Sequence, residues 1–411
     1  MRVPARFFED PNRADAAKPR QQRSTTMSMT SRERVLKALH HEEPDRVPLD
    51  LGATRNTGIL APTYRALTTF LGLQDDGNEP AVHGHAKVLG LAPPAETVLQ
   101  RLGIDFRGIT LGKADHSKEA LLPDGTHRDE LGVIRRQPAG MPYWELTASP
   151  FSGEVTVHDA INWDWPDPTD PGHIRGLREK ALAIREQTDY ALVLHLQDII
   201  VHPTQFLLGF EKWYLSFYLE PALINTLMDI MLEVRTEVTR RALAEVGDLI
   251  DVVSCSDDVS DARGSILSPE MYAEFIKPRH SRYFEAIRSL TPATILYHSC
   301  GAVAGLIPSF IDMGIDFINP VQVSAAGMEP QRLKAEYGDE IGFWGGIDTT
   351  RVLPFGTPET VAADVRQRLR DLAGGGGYVL AAVHNLQPDV PPENIVAMYD
   401  AGRTFGHYPI V

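Results

Sequence analysis

Residues 293–322, ATILYHSCGAVAGLIPSFIDMGIDFINPVQ, carry the pattern that decides the fold. An apolar run over 293–298 stops abruptly at His298-Ser299-Cys300-Gly301. Helical spacing of apolar residues follows over 302–313, and a second apolar run covers 315–320. Two apolar strands joined by a helix predict a parallel pair, because parallel neighbours need a crossover of about a dozen residues or more.

The same alternation extends outward in both directions. Upstream lie a helix over 175–187 and a strand over 190–196, then helices near 203–246, a strand over 249–255 and a helix over 269–289. Downstream come helix 328–337, strand 340–346, helix 357–373 and strand 377–384. Runs such as Leu249-Ile250-Asp251-Val252-Val253 and Tyr378-Val379-Leu380-Ala381-Ala382-Val383 are almost continuously apolar, as strands buried on both faces are. Strands near 46–51 and 104–111 raise the count to eight. The prediction is an α/β fold, a single-domain (β/α)8 TIM barrel, rather than an open doubly wound sheet. No Gly-x-Gly-x-x-Gly follows the first strand, which argues against a dinucleotide fold. Gly374 to Gly377 follow a helix and precede a strand, the reverse of a phosphate loop, and read as a helix C-cap and connecting loop.

Between Asn78 and about Asp170 the alternation breaks, and 121–151 reads as a hairpin insertion in the N-terminal half. The segment Trp163-Asp164-Trp165-Pro166-Asp167-Pro168 reads as a proline-stiffened connection whose tryptophans anchor packing. The first helix is expected from about Ser31, capped by Thr30 or Ser31, with Val35, Leu36 and Leu39 at helical spacing and Pro44 beyond its end. Residues 1–30 are polar, Arg-rich and aperiodic. They are expected to be a disordered extension preceding a barrel domain over 31–411, with Met27 or Met29 as an alternative start.

Composition narrows the function. With 411 residues, 43% hydrophobic and 23% charged, the chain has material for a sizeable core. A net charge of -15 without a basic stripe argues against a nucleic-acid partner. Cys255 and Cys300 are the two cysteines, so no disulfide framework is expected. No apolar run reaches membrane-spanning length, and a cytoplasmic location is expected.

A barrel places its active site where strands end, and the residues there are the candidates for chemistry. They are Asp50, then Gln197 and Asp198, Cys255 with Asp257 and Asp258, His298 and Cys300, Asn319 with Gln322, Asp348, and His384 with Asn385 and Gln387. His298 and Cys300, two apart at a strand end, can point to the same side. An imidazole and a thiolate suit zinc. His384 is the preferred third ligand by position and Cys255 the alternative, which leaves a fourth position open, as in catalytic zinc sites. Asp257 and Asp258 are expected as catalytic or orienting carboxylates, and Gln197, Asn319, Gln322 and Asp348 as substrate-binding groups. Each has a plainer reading: a buried Cys is often a small hydrophobe, a lone His a bonded core residue, and an Asp after a strand a cap.

The segments SDDVSDARGSILSPEMYAEFIKPRH (256–280), LYHSCGAV (296–303), FINPVQ (317–322), GGID (345–348) and GGGYVLAAVHNLQPDVPPENI (375–395) resemble the uroporphyrinogen decarboxylase superfamily. SRERVLKALHHEEPDRVP (31–48) resembles its N-terminal signature. The resemblance implies a (β/α)8 barrel with one of two chemistries: metal-free decarboxylation of a porphyrinogen, or zinc-dependent methyl transfer between a corrinoid and a methyl acceptor. The His-x-Cys-Gly stretch looks like the zinc motif of the methyltransferase branch, which carries a metal role onto His298 and Cys300. In the decarboxylase branch an arginine-rich segment grips substrate carboxylates, whereas LDLGATRNTG (49–58) offers only Arg55. The third zinc ligand is typically a cysteine in the methyltransferase branch, and here that position is His384. The expected function is therefore a zinc-dependent methyltransferase serving a small substrate, with the corrinoid on a separate protein because no Asp-x-His-x-x-Gly stretch is present. Porphyrinogen decarboxylation is the alternative.

Overall fold

The computed structural model describes residues 29–73, 88–141 and 143–410. Most of the expected N-terminal extension lies outside the described residues. Seven parallel strands run Phe106–Thr110, Ala191–Asp198, Val252–Ser256, Thr294–His298, Phe317–Asn319, Gly342–Ile347 and Tyr378–Ala382, each paired with its sequence neighbour. The expected eighth strand closes the ring as a shorter segment. Leu49 bridges Leu380 in parallel. Leu380 N–H donates to Pro48 O, Asp50 N–H to Leu380 O, and Asp105 N–H to Leu49 O, each at 3.0 Å. This is a TIM-barrel-like α/β fold.

Alternation along the pleat assigns the two faces. Phe106, Ala191, Val193, Val252, Leu296, Phe317, Trp344, Val379 and Ala381 share the barrel interior, while their sequence neighbours, such as Leu192, Val253, Ile295 and Ile318, pack under the helices. Phe106 and Trp344 are in ring contact at 4.6 Å inside the barrel. The first helix, Ser31–Leu39, begins in a Thr30–Glu33 capping box and sends Val35 and Leu39 into the same interior cluster. It meets the starts of strands, since Ala38 O accepts from Gly377 N–H at 2.9 Å and Arg32 N–H donates to Asp189 O at 2.7 Å. The N-terminal end of the barrel is thereby plugged, and the opposite end is left for chemistry.

Two details differ from the sequence pattern. The single helix expected over 269–289 is a π-helical turn, Tyr272–Ile276, between α-helical segments Pro269–Met271 and Lys277–Arg288. Pro278 has no N–H for the preceding turn, and a wider turn accommodates that missing bond. The expected hairpin insertion is a four-stranded antiparallel sheet, Ala120–Leu121, His127–Arg128, Ile134–Arg136 and Glu145–Ala148. It leaves the barrel after the Phe106–Thr110 strand and stands over the open end.

One buried acid supports the barrel wall. Asp50 is wholly buried, and its carboxylate accepts from Trp344 Nε1 at 2.9 Å and Ala53 N–H at 3.1 Å. Burial pushes its pKa up to about 6, against the opposing hydrogen bonds of Thr57, Trp344 and Ala53. A carboxyl whose folded pKa is raised favours the fold below its unfolded pKa and loses that contribution as pH rises through the folded value. A shift of roughly two units corresponds to about 3 kcal/mol. Urea unfolding of wild type and Asp50→Asn is expected to give stabilities whose difference moves by about this amount, against wild type, between pH 4 and 8. Parallel curves for the two proteins would contradict the assignment.

Candidate metal centre at the barrel mouth

The Thr294–His298 strand ends with Leu296 and His298 facing the interior and Tyr297 facing the helices. After the strand the chain turns at Gly301, where φ is 97°; a Cβ there would sit 2.4 Å from Asp261 O, so the turn requires glycine. The turn is held by Gln322, whose Oε1 accepts from Gly301 N–H at 2.8 Å, and by Asp258, whose Oδ1 accepts from Cys300 N–H at 2.7 Å. Cys300 Sγ then lies 3.3 Å from His298 Nε2.

His384 arrives from the last strand. Its segment is pinned to 58–60, with Gly58 N–H donating to Asn385 Oδ1 at 2.8 Å and Leu386 N–H to Gly58 O at 3.0 Å. The ligating atoms of His298, Cys300 and His384 all lie within 4.8 Å of one another. A tetrahedral zinc site with bonds of 2.0 to 2.3 Å would hold such atoms about 3.5 Å apart, so closure requires about an ångström of side-chain movement.

The tautomer of His298 follows from its neighbour. Asn319 Nδ2 donates to Trp344 O at 3.1 Å, which leaves Asn319 Oδ1 to accept from His298 Nδ1–H at 2.5 Å. The Nε2 lone pair is then presented toward Cys300, as ligating histidines require. Burial lowers the pKa of His298 and takes His384 down to about 4, so both imidazoles are neutral donors near pH 7. Burial and the Asp258 charge push the Cys300 thiol well up. Two neutral imidazoles and one thiol, converging at a barrel mouth, fit a borderline-soft divalent ion.

Several expected roles change once the geometry is known. Cys255 is wholly buried on the outer face of its strand, with Tyr283 and Tyr297, while its neighbours Ser254 and Ser256 face inward. It stands apart from the converging donor atoms of His298, Cys300 and His384. Asp257, expected as a catalytic or orienting carboxylate, is engaged elsewhere. Its Oδ2 accepts from Ile200 N–H at 2.7 Å, Val201 N–H at 3.0 Å and His280 Nε2 at 3.0 Å, so it anchors the start of helix Val201–Leu208. Asp258 does face the centre, 3.9 Å from His298 Nε2. Asn319 and Gln322, expected as substrate-binding groups, hydrogen-bond His298 and Gly301. Asp348 closes an Asx turn, accepting from Thr350 N–H and Oγ1–H at 2.7 Å each. Gln197 lines a neighbouring cavity and accepts from Arg235.

Arg55, Asp198 and His202 complete the mouth. Arg55 pairs with Asp198 and donates to Ser256 Oγ at 2.8 Å, and its charge reaches both His298 and His384. His202 lies 3.4 Å from Asp258 Oδ2 and donates toward Gln205 Oε1 at 3.0 Å. Burial opposes its charge, but Asp258 wins and holds its pKa up at about 10. Asp198 was visible as a polar strand end. Arg55 was visible as the single arginine of 49–58, and nothing in the local spacing marks His202.

The family profile of uroporphyrinogen decarboxylase matches residues 205–405, a stretch that carries His298, Cys300 and His384. The match and the relatives that follow liken the chain to the uroporphyrinogen decarboxylase superfamily. It is 25% identical over 279 residues to a methylcobamide:CoM methyltransferase of Methanosarcina barkeri, covering 66% of this chain and 73% of that protein. It is also similar to uroporphyrinogen decarboxylases. Identity to that of Methylococcus capsulatus is 26% over 202 residues, 48% of this chain and 53% of the relative. Identity to that of Alkalilimnicola ehrlichii is 24% over 405 residues, 91% and 94% of the two chains. Among solved structures, a methyltransferase from Methanosarcina mazei superposes with a TM-score of 0.64 at 19% identity, covering 92% of this chain and 99% of that one. That likeness speaks for the fold. Superfamily members are enzymes, and this chain resembles the methyltransferase-like branch. Among its described residues no helix is long and apolar enough to cross a membrane.

Proposed function

We propose that this chain is a zinc-dependent methyltransferase that moves a methyl group between a small substrate and a corrinoid carried by a separate protein. The observation that carries the reading is the convergence of the His298, Cys300 and His384 donor atoms within 4.8 Å at the open end of the barrel. These three residues would hold the ion. Bound zinc would stabilise a thiolate or withdraw charge from an oxygen leaving group. Asn319 keeps His298 in the ligating tautomer, and Asp258 fixes the Cys300 backbone while holding His202 in its charged form. The similarity to a methylcobamide:CoM methyltransferase supports the same reading.

Porphyrinogen decarboxylation is the second reading, favoured by the similarity to several uroporphyrinogen decarboxylases. The state of Arg55 speaks against it, since the guanidinium is already engaged by Asp198 and Ser256 rather than held open for substrate carboxylates. Metal analysis of the purified chain is expected to find about one zinc per chain. The zinc protein is expected to demethylate free methylcob(III)alamin in the presence of a thiol, followed by the cobalamin absorbance. A metal-free protein that converts uroporphyrinogen to coproporphyrinogen would overturn the proposal.

A further inference from the structure

Beside the metal centre lies a cavity with about 1180 Å³ of empty volume, open to solvent, between the barrel mouth and the four-stranded insertion. Arg55 and Phe206 border it from the barrel side, and Phe206 stacks on His202, which lies 3.4 Å from Asp258 beside the centre.

The charge pattern of this wall is distinctive. Among the described residues its four Lys and Arg side chains each pair with a carboxylate that also lines it. From the insertion, Asp129 holds Arg135, and Glu130 reaches Arg235 on the long barrel helix at 3.5 Å. On the barrel side Asp198 holds Arg55, and Lys113 lies 3.4 Å from Glu119. A ligand with net charge would therefore lose hydration and find no uncompensated partner. Other features favour hydrogen bonding. Arg235, His127 and His173 line the cavity, all more than nine-tenths buried, and each retains a nitrogen with no partner: Arg235 Nε, His127 Nδ1 and His173 Nδ1. Leu111, Leu131, Leu196 and Phe206 supply an apolar surface, and the Arg135 guanidinium sits 4.8 Å over the Phe206 ring. Phe206 also stacks on His202 at 5.5 Å, which leads to Asp258 and the metal centre.

We propose that this cavity binds a small ligand of no net charge, with one apolar face and hydrogen-bonding oxygens, and that the antiparallel insertion is its specificity wall. The inference deepens the methyl-transfer reading by naming the substrate class, and it rests on that reading only for the identity of the site. It is tested by binding alone, without zinc or turnover, so that failure of either can be told from failure of the other.

The probes are 3-methoxybenzyl alcohol, 3-methoxybenzoate and 3-methoxybenzylammonium, which share a frame and differ in charge. Calorimetric titration of the full chain is expected to show the alcohol binding at least about tenfold tighter than either ion. Glu130→Gln removes the carboxylate facing Arg235 and is expected to raise benzoate affinity by about 3- to 10-fold, while the alcohol stays within about twofold. Asp129→Asn, which releases Arg135, is expected to act in the same direction and serves if the first variant does not fold. Benzoate binding wild type as tightly as the alcohol, no binding of any probe, or no change of preference in a folded variant would each overturn the proposal.

Discussion

Purified Cys300→Ala and His298→Ala are expected to carry less than about a tenth of the wild-type zinc and to lose methyl transfer by at least about a thousandfold, while their circular dichroism matches wild type. The size follows from removing one of three ligands: about 4 kcal/mol of lost Lewis-acid stabilisation corresponds to three decades in rate. Folding should survive because both side chains lie at the mouth, beyond the interior layers of Phe106, Leu296, Phe317 and Trp344 that fill the barrel. Asn319→Ala is the graded control. It removes the acceptor on His298 Nδ1 but no ligand, so metal affinity should fall by about 10- to 100-fold, read by competition with a chelator. His384→Cys is expected to keep zinc, since it restores a thiolate donor at the position. If both alanine variants retained zinc and activity, the centre would have to be sought elsewhere.

Asp105→Ala is expected to cost about 3 to 5 kcal/mol in urea unfolding, the largest stability loss foreseen for a single substitution outside the site. Asp105 is wholly buried and receives Arg34 Nη1 at 2.8 Å, Arg46 Nη1 at 2.8 Å and Nη2 at 3.0 Å, and Leu49 N–H at 2.9 Å. Arg34 and Arg46 are also almost buried, and only Arg34 has a second carboxylate, Asp45 at 2.6 Å. Removing Asp105 would leave guanidinium charge in the wall without its counter-ion, at the point where the 47–50 segment closes the barrel between the first and last sheet strands. Asp105→Asn, which keeps the acceptor but not the charge, should lose less. Equal stabilities for wild type and the alanine variant would show that closure does not depend on this cluster.

That cluster explains a feature that was legible in the chain without its cause. SRERVLKALHHEEPDRVP resembled a family signature, and three of its members, Arg34, Asp45 and Arg46, turn out to join Asp105 in closing the ring. The eight-strand count could be reached from apolar runs because strands buried on both faces must be apolar throughout. The closing segment could be placed but not shown to pair with both edges, since a few residues carry no register of their own. The insertion was readable as hairpin-like, but its four-stranded topology was not. Its role as a cavity wall was not, because Glu130 and Arg235 are 105 residues apart.

The metal centre divides in the same way. Sequence alone determined the strand–helix alternation, the position of the mouth and the pairing of His298 with Cys300, because each depends on periodicity or on neighbours two residues apart. Tertiary structure brings His384 and not Cys255 to His298 and Cys300, since the pleat turns Cys255 toward Tyr283 and Tyr297 while the last strand delivers His384 to the mouth. It also separated Asp258 from Asp257: adjacent side chains diverge, one toward His298 and one to the start of the Val201–Leu208 helix. Such choices depend on which face a side chain takes and what lies across the barrel from it, and only the closed ring supplies those neighbours.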